Sequence, residues 1–346
     1  IRENDMENKN IALAQEAAYA DELTQPVPQK RKINRAKLQE NIWGWIFVSA
    51  LVLGTTVFVY IAFILSLWIS FTDYDAFIMT TFWEGLGSIH PDGFWHWYQY
   101  MFTAEGAYGV AGEMEDFWGT LGTTCFYLIG IPIGMVLSLG IAVLMTRDIK
   151  LSGTFRVIYY IPTVASTVSI AVMWTNLFGD GGFMATVFGI NLLAAGTHPA
   201  LQKMCVILLT VWKGLGGTVV LFVAGLNGVN ASYHEAAEID GANAWSIFWR
   251  ITMPQLYPTI FYVLVTSVIG GMQIFIEPNL IFGNYPATGN MATSGTRDNI
   301  PFVGYIFGVF NNGEWAHASA LGIILAIIIF LLTLIQFALD ARRDKA

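Results

Sequence analysis

Charged residues are scarce in this chain of 346 residues, since only 12% are Asp, Glu, Lys or Arg. A typical globular protein has about a quarter, so too little charge is present to cover a surface in water, and an ordinary soluble enzyme is excluded. Basic residues are fewer than acidic ones, with 17 Lys and Arg against 25 Asp and Glu, and the net charge is −8. This balance argues against nucleic acid as a partner, because phosphate binding requires a basic face.

Cysteine and nucleotide-binding motifs are also nearly absent. Cys125 and Cys205 lie in apolar runs and form no CxxC pair, so we predict neither a disulfide framework nor a zinc site and expect both residues to pack. No Gly-Lys dipeptide occurs, so the phosphate-binding motif of an ATPase is lacking, and we expect no covalent catalysis, metal or cofactor on this chain. The five histidines are spread over loops without metal-ligand spacing, which favours structural or solvated roles: His90, His96, His198, His234 and His317.

Apolar residues dominate instead, at 55% of the chain, and the mean hydropathy is +0.55. A helix needs about 20 apolar residues to cross a bilayer, so long uncharged or nearly uncharged windows predict transmembrane helices and an all-α membrane protein. Pro132, near the middle of the second window, predicts a kink, and the third window contains Pro162. The six windows are residues 46–71, 117–145, 157–178, 204–229, 258–282 and 318–339.

The distribution of Lys and Arg predicts the orientation, because these residues accumulate on the cytoplasmic side. They lie before the first window, between the second and third, between the fourth and fifth, and after the sixth. Of the alternate stretches 72–116, 179–202 and 283–317, only the last contains such a residue, Arg297. Both termini are therefore expected in the cytoplasm, and an even number of spans agrees. The predicted organisation is a cytoplasmic tail at 1–41, a six-span domain at 42–341 and a cytoplasmic tail at 342–346.

The predicted outer loop, residues 72–116, is rich in Trp, Tyr and Phe among acidic residues. Two interpretations are open. The favoured one is an aromatic belt at the membrane interface. The alternative is a surface for docking an extracytoplasmic partner or stacking a sugar, since aromatic faces suit both.

The cytoplasmic segment 230–257 is too polar for the membrane. Ser232 followed by Glu235 predicts a capping box, and therefore a helix from about residue 233 that Gly241 interrupts. A second amphipathic stretch, 245–251, is expected to end at Pro254. The predicted product is a rigid helix–turn–helix knob that receives force from a soluble partner. The alternative is an amphipathic loop resting on lipid headgroups.

The spacing within this segment resembles the permease subunits of ATP-binding-cassette importers that depend on a solute-binding protein. The family's signature is Glu-Ala-Ala, three residues, Gly, nine residues, Ile, any residue, Leu-Pro, and only Met253 departs from it here. The resemblance implies the type I permease fold and a coupling helix that inserts into the ATPase subunit, where the glutamate pairs with a basic residue. The coupling residues so implied are Glu235, Ala236, Ala237, Asp240, Gly241, Ile251 and Pro254.

Further runs narrow the resemblance to the carbohydrate, maltose-type importers, and to the first permease of the pair; they include residues 71–75, 155–156, 211–215 and 224–226. The resemblance implies a second permease subunit as heterodimer partner, two ATPase subunits that hold ATP and Mg²⁺, an extracytoplasmic solute-binding protein, and a bacterial cytoplasmic membrane. The substrate is expected to be a sugar, with an oligosaccharide favoured.

Polar residues inside spans are candidate solute contacts, because they are costly in a bilayer. Lys213 of the fourth window is such a residue, although an ion pair with Glu277 is the favoured interpretation. Aligning this sequence without gaps to the solute site of the maltose-type permeases implies further contacts. The aligned residues match the chemistry of that site only partly, so a different or larger solute is implied. The predicted pathway is Thr210, Lys213, Gly214, Gly217, Ser267, Gly270, Gly271, Gln273 and Ile274.

Three other functions are weighed against carbohydrate import. A permease for another polar solute, such as a glycerol phosphate, fits the same motifs. An ion-coupled secondary transporter requires buried carboxylates, of which the windows offer only Glu277, and it needs no coupling motif. A structural membrane scaffold would be indifferent to loss of the Glu235 side chain.

Overall fold

The computed structural model describes residues 35–75, 82–102, 113–146, 152–193, 198–282 and 297–343. Most of the predicted cytoplasmic tail 1–41 and the last three residues lie outside the described residues. The described ranges are helical and contain no strand, and their two isolated β-bridges join Thr72 to Ile89 and Asp75 to Glu314.

The chain divides into two units, Ile1–Ala62 and Phe63–Ala346. In the first, helix α1 spans Arg35–Thr55 and continues into a π-helical turn, Thr56–Ile61. The segment Ile42–Ile69 has a mean hydropathy of 2.4 and is long enough to cross a membrane, which agrees with the first predicted span.

The second unit contains the remaining helices. Five helices of the described chain are long and apolar enough to cross a membrane, or six if one bent pair forms a single span. The helices are α2 (Ala62–Ile69), α3 (Phe82–Gly87), α4 (His96–Tyr100), α5 (Glu113–Tyr127), α6 (Gly130–Met145), α7 (Ser152–Val164), α8 (Thr167–Phe178), α9 (Phe183–Phe188), α10 (Pro199–Asn227), α11 (Ala231–Ile239), α12 (Ala244–Ile247), α13 (Met253–Met272), α14 (Ile276–Phe282), α15 (Phe302–Asn311) and α16 (Trp315–Arg343).

The helical hydrogen bonding of the second span is interrupted between α5 and α6, although Glu115–Met145 runs as one continuous segment, so the kink at Pro132 stays a prediction. Pro132 lies in the first turn of α6 and has no N–H to bond the Leu128 carbonyl. That carbonyl instead accepts a hydrogen bond from the Ile131 amide at 3.0 Å. The break therefore lies one turn before the proline.

The third span is not the single helix predicted for 157–178. The axis bends by 96° between Val164 and Thr167, so the segment is a pair of helices. Ser166 has an extended backbone, with ψ 129°, which ends the helical path. Pro162 lies within the last turn of α7, where its missing N–H weakens the helix just before the bend.

The fifth span also departs from the prediction for 258–282. Helix α13 ends at Met272, and α14 begins only at Ile276. Gly270 and Gly271 occupy the last turn of α13. In a helix, a glycine is about 1 kcal/mol less stable than an alanine. Glu277 therefore lies in a separate short helix and not in the single continuous helix that was predicted for this span.

The expected stop at Pro254 is wrong. The helical path runs from Ala244 to Met272 as one segment. A π-helical turn at Phe248–Thr252 precedes the proline, which occupies the first turn of α13. A widened turn accommodates the hydrogen bond that the proline cannot make, so the chain passes into the span without a break.

Helix α10 is the central packing element and contacts α6, α7, α13 and α14. Glycines set its closest approaches. A Cβ at Gly216 would lie 2.8 Å from the carbonyl oxygen of Tyr159 in α7, and one at Gly225 would lie 2.6 Å from Thr259 Oγ1 in α13. Small residues therefore bring these helices together, as is common in membranes. Cys205 of α10 is buried as predicted, whereas Cys125 is exposed, so the packing prediction is wrong for Cys125.

Candidate solute pathway and coupling helix

The predicted coupling segment begins at Asn230 rather than at a Ser232 capping box. The Asn230 side chain accepts a hydrogen bond from the Ser232 amide at 3.0 Å and caps α11. Ser232 therefore lies inside the first turn, and the capping-box prediction is wrong by two residues. Asparagine is among the strongest capping residues, since its side-chain oxygen accepts from the free amides of the first turn.

Gly241 reverses the chain after α11, as predicted. Its φ of +77° lies in the left-handed region that favours glycine. The Ala242 amide donates to the Ala237 carbonyl at 2.9 Å and closes the turn. Asn243 then caps α12 by accepting from the Ser246 amide at 2.7 Å.

One face of α11 is available to a partner. Glu235, Ala236 and Asp240 are exposed, and Ile239 is 87% exposed. Glu235 and Ile239 are four residues apart and therefore lie on one helix face. An exposed carboxylate beside an exposed aliphatic side chain is suited to a protein contact that combines charge with apolar burial.

The opposite face of α11 is tied to the membrane domain. His234 Nε2 lies 3.1 Å from Thr252 Oγ1, at hydrogen-bond distance across 18 residues of sequence. Thr252 is buried and directly precedes α13. Ile251 is half-buried and Pro254 is exposed at the same junction. This contact joins α11 to the start of the fifth span.

A cavity of about 360 Å³ lies between the second, fourth and fifth spans. This volume is at the lower end of the range of small-molecule sites. Seven of the nine predicted pathway residues line it: Thr210, Gly214, Ser267, Gly270, Gly271, Gln273 and Ile274. The residues implied by the resemblance to maltose-type permeases therefore meet at one cavity, although those of α10 and those at the end of the fifth-span helix are more than 50 positions apart in sequence.

The other two predicted pathway residues are not among the lining residues. A Cβ at Gly217 would meet Thr163 at 3.8 Å, so Gly217 faces α7. Lys213 Nζ lies 2.8 Å from Glu277 Oε1 and donates to Thr167 Oγ1 at 2.6 Å. The predicted Lys213–Glu277 ion pair is confirmed.

The two broken spans meet at this ion pair. Thr167 is the first residue of α8 after the bend, and Glu277 is the second residue of α14 after the fifth-span break. The helices α8 and α14 pack together, and Lys213 of α10 contacts both through polar bonds. Charges inside a membrane are stable only when paired, so each of the three elements depends on the others.

The glycines of the cavity differ in what they permit. A Cβ at Gly214 or Gly270 would meet nothing within 4 Å, so these positions border open space. A Cβ at Gly271 would lie 2.6 Å from Leu128 Cδ2. Gly271 therefore serves close contact between α13 and the second span, and Gly214 and Gly270 leave room in the cavity.

The sequence matches a known family over most of its length. Residues 130–345 fit the binding-protein-dependent transport system inner membrane component family. The chain belongs to this family. It is accordingly a multi-pass membrane protein of the inner-membrane permease type, as its apolar helices require.

Relatives of this permease include the probable ABC transporter permease protein YesP of Bacillus subtilis, 31% identical over 314 residues that cover 88% of this chain and 93% of YesP. The lactose transport system permease protein LacF of Rhizobium radiobacter is 26% identical over 64% of this chain and 75% of LacF. The fold resembles a chain of a bacterial alginate ABC transporter solved with an alginate pentasaccharide-bound periplasmic protein. The TM-score is 0.67 at 18% identity, over 90% of this permease and 98% of that chain.

The second span contributes cavity residues that were not predicted from the sequence. Tyr127 and Ser138 line the cavity beside α10 and α13. Ser138 is fully buried, and its Oγ has no hydrogen-bond partner among the described residues. A serine within the otherwise apolar helix α6 was the available signal in the sequence, because a hydroxyl in a membrane helix requires a partner.

The described part of the outer loop forms a cluster of aromatic rings. Phe71 stacks on Phe94 at 4.0 Å, and Trp97 stacks on His317 of α16 at 5.0 Å. Burial raises the pKa of Tyr98, whose hydroxyl lies 2.8 Å from Ser70 Oγ. Many of these rings therefore pack as a cap over the start of α16, which neither interpretation of the loop anticipated.

Two histidines of this cap lie together, contrary to the prediction that the histidines lack metal-ligand spacing. The His90 and His96 rings stack with centroids 3.6 Å apart and an interplanar angle of 6°. Burial lowers the pKa of His96 and the neighbouring His90 lowers it further, whereas Asp92 and Asp73 act in the opposite direction. Gly93, with a φ of +114°, makes the turn that brings the rings face to face.

Proposed function

We propose that this chain is the permease subunit of an ATP-driven importer that carries a carbohydrate delivered by a solute-binding protein. In this proposal it forms the translocation pathway with a second permease. Separate ATPase subunits bind ATP and Mg²⁺ and perform the hydrolysis. Membership of a binding-protein-dependent family supports the architecture, and the lactose permease relative supports the substrate class.

The observation that carries the proposal is the chemistry of the cavity lining. Hydroxyl and amide groups from Thr210, Ser267 and Gln273 are suited to a neutral polyol, and the two open glycines leave room for it. No basic side chain is present among the lining residues that the structure describes. A neutral sugar is therefore favoured over a glycerol phosphate, whose charge would require a cation.

The state of Glu277 weighs against an ion-coupled carrier. A carboxylate that couples transport to an ion gradient must bind and release that ion during the cycle. Glu277 is held by Lys213 at 2.8 Å instead. The exposed face of α11, with Glu235 and Ile239, supports a chain driven by a soluble partner.

In the proposed mechanism the ATPase subunits move α11, and the His234–Thr252 contact transmits the displacement to α13. Helix α13 carries Ser267, Gly270 and Gly271 of the cavity. Nucleotide binding on one side thereby changes access to the solute site, as alternating access requires. The termini and the coupling segment are cytoplasmic in this proposal, and the aromatic cap is extracytoplasmic.

The experiment is sugar uptake by proteoliposomes that contain the complete complex with Gly270→Leu. A leucine at Gly270 fills the cavity without an initial clash, so uptake should fall at least tenfold while the protein remains folded. Gly122→Leu is the matched control, because a Cβ there also meets nothing within 4 Å and Gly122 does not line the cavity. Equal uptake by both variants and the parent would contradict a solute pathway through this cavity.

A further inference from the structure

We propose that the aromatic cap holds a zinc-type divalent metal ion, with His90, His96 and Asp92 as ligands. One ligand atom from each residue lies within 4.8 Å of those of the other two. Two imidazoles and a carboxylate are the ligand types that zinc prefers. This site is separate from the cavity and does not depend on the proposed transport function.

The distances are close to those of a metal centre. Asp92 Oδ2 lies 3.5 Å from His96 Nδ1 and 3.8 Å from His90 Nδ1. Ligands of a tetrahedral zinc ion, bound at about 2.0–2.1 Å, are about 3.4 Å apart. The two rings lie in parallel planes, so one of them must turn about its Cβ–Cγ bond before both nitrogens direct their lone pairs at one ion.

The hydrogen bonding of His90 sets the protonation that coordination needs. His90 Nδ1 accepts a hydrogen bond from the Asp92 amide at 3.1 Å, so in the neutral ring the proton is on Nε2. Coordination through Nδ1 replaces that hydrogen bond.

Asp73 supplies the outer partner that metal-binding histidines commonly have. Its Oδ1 lies 3.6 Å from His90 Nε2, on the other side of the ring from Asp92. A carboxylate at this position fixes the tautomer and orientation of the ring and raises its basicity as a ligand. The arrangement of carboxylate, histidine and metal is the usual one in zinc proteins.

Access and rigidity also suit a metal site. The Asp92 side chain is 73% exposed, so an ion reaches the ligands from solvent, whereas the two rings are largely buried. His90 and His96 both contact Trp97 edge-on, and Trp97 stacks on His317. A bound ion therefore fixes the turn at Gly93 to the cap over α16.

The test is zinc content and affinity of the full-length chain with its co-purifying subunits, isolated through a histidine-free tag. After chelator treatment, the parent protein should take up one zinc ion per chain at this site, and Co²⁺ should give a tetrahedral absorption spectrum. His96→Gln and Asp92→Asn should lose this ion and the spectrum. His198→Gln is the matched control, because His198 caps α10 and lies outside the cluster.

Asp73→Asn separates a metal site from a merely structural cluster. As an outer partner, it should weaken zinc binding about 10–100-fold without changing the stoichiometry. Melting temperatures of the chelated variants report whether each remains folded. A parent protein that binds no more zinc or cobalt than folded His96→Gln would overturn the proposal.

Discussion

Removing both charges of the Lys213–Glu277 pair is expected to destabilise the protein little more than removing one of them. The two atoms are 2.8 Å apart, and the side chains are 23% and 16% exposed. At that separation the Coulomb attraction is about 6 kcal/mol for an effective dielectric constant of about 20, before desolvation offsets part of it. Truncating one partner of a buried pair typically costs about 3–5 kcal/mol, because the other charge is left uncompensated.

We expect about 3 kcal/mol of lost unfolding free energy for Lys213→Met and the same for Glu277→Leu, at the lower end because both side chains retain some solvent contact. The double variant should lose about 3–4 kcal/mol rather than the sum, which corresponds to a coupling energy of about 2–3 kcal/mol. The assay is unfolding by SDS titration in mixed micelles, with circular dichroism as the probe.

The control is the double variant Lys203→Met with Glu277→Leu. Lys203 is a cation of the same helix, ten residues away or about 15 Å along the axis, so the two losses should add. Additive losses for the Lys213–Glu277 double variant as well would refute the reasoning that this pair joins the two broken spans.

Two further predictions concern the coupling helix and the second span. Ile239→Ser should abolish sugar uptake and lower ATPase co-purification several-fold. The melting temperature should not change, because Ile239 is 87% exposed. Retained co-purification would exclude the docking role. Ser138→Ala should stabilise the protein by up to about 1 kcal/mol, because it removes a buried unpartnered hydroxyl, and should raise the concentration for half-maximal uptake. A stable variant with unchanged uptake would show that Ser138 makes no contact with the solute.

The spans were predictable because hydropathy over about 20 residues reports burial in a bilayer. The breaks were not, since a window average does not register the backbone of single residues. The bend at Ser166 and the end of α13 after Gly270 and Gly271 add no charge to their windows. They depend on local helix propensity and on polar bonds to Lys213 from distant elements.

The candidate pathway was predictable only through the resemblance to maltose-type permeases. That resemblance implied Thr210, Gly214, Ser267, Gly270 and Gly271, and all five line the cavity. Ser138 was missed because its contribution depends on how the second span packs against α10, which spacing does not encode. The His90–His96 contact likewise depends on the turn at Gly93.

The central claim is that this chain operates as the permease of an ATP-driven importer. Its most direct test is affinity isolation of the chain from detergent-solubilised native membranes, followed by mass spectrometry of the retained proteins. We predict recovery of a second permease with its own Glu-Ala-Ala segment and of an ATPase with a phosphate-binding loop, and loss of the ATPase with Glu235→Lys. Recovery of the chain alone, stable and transporting sugar without ATP, would contradict the claim.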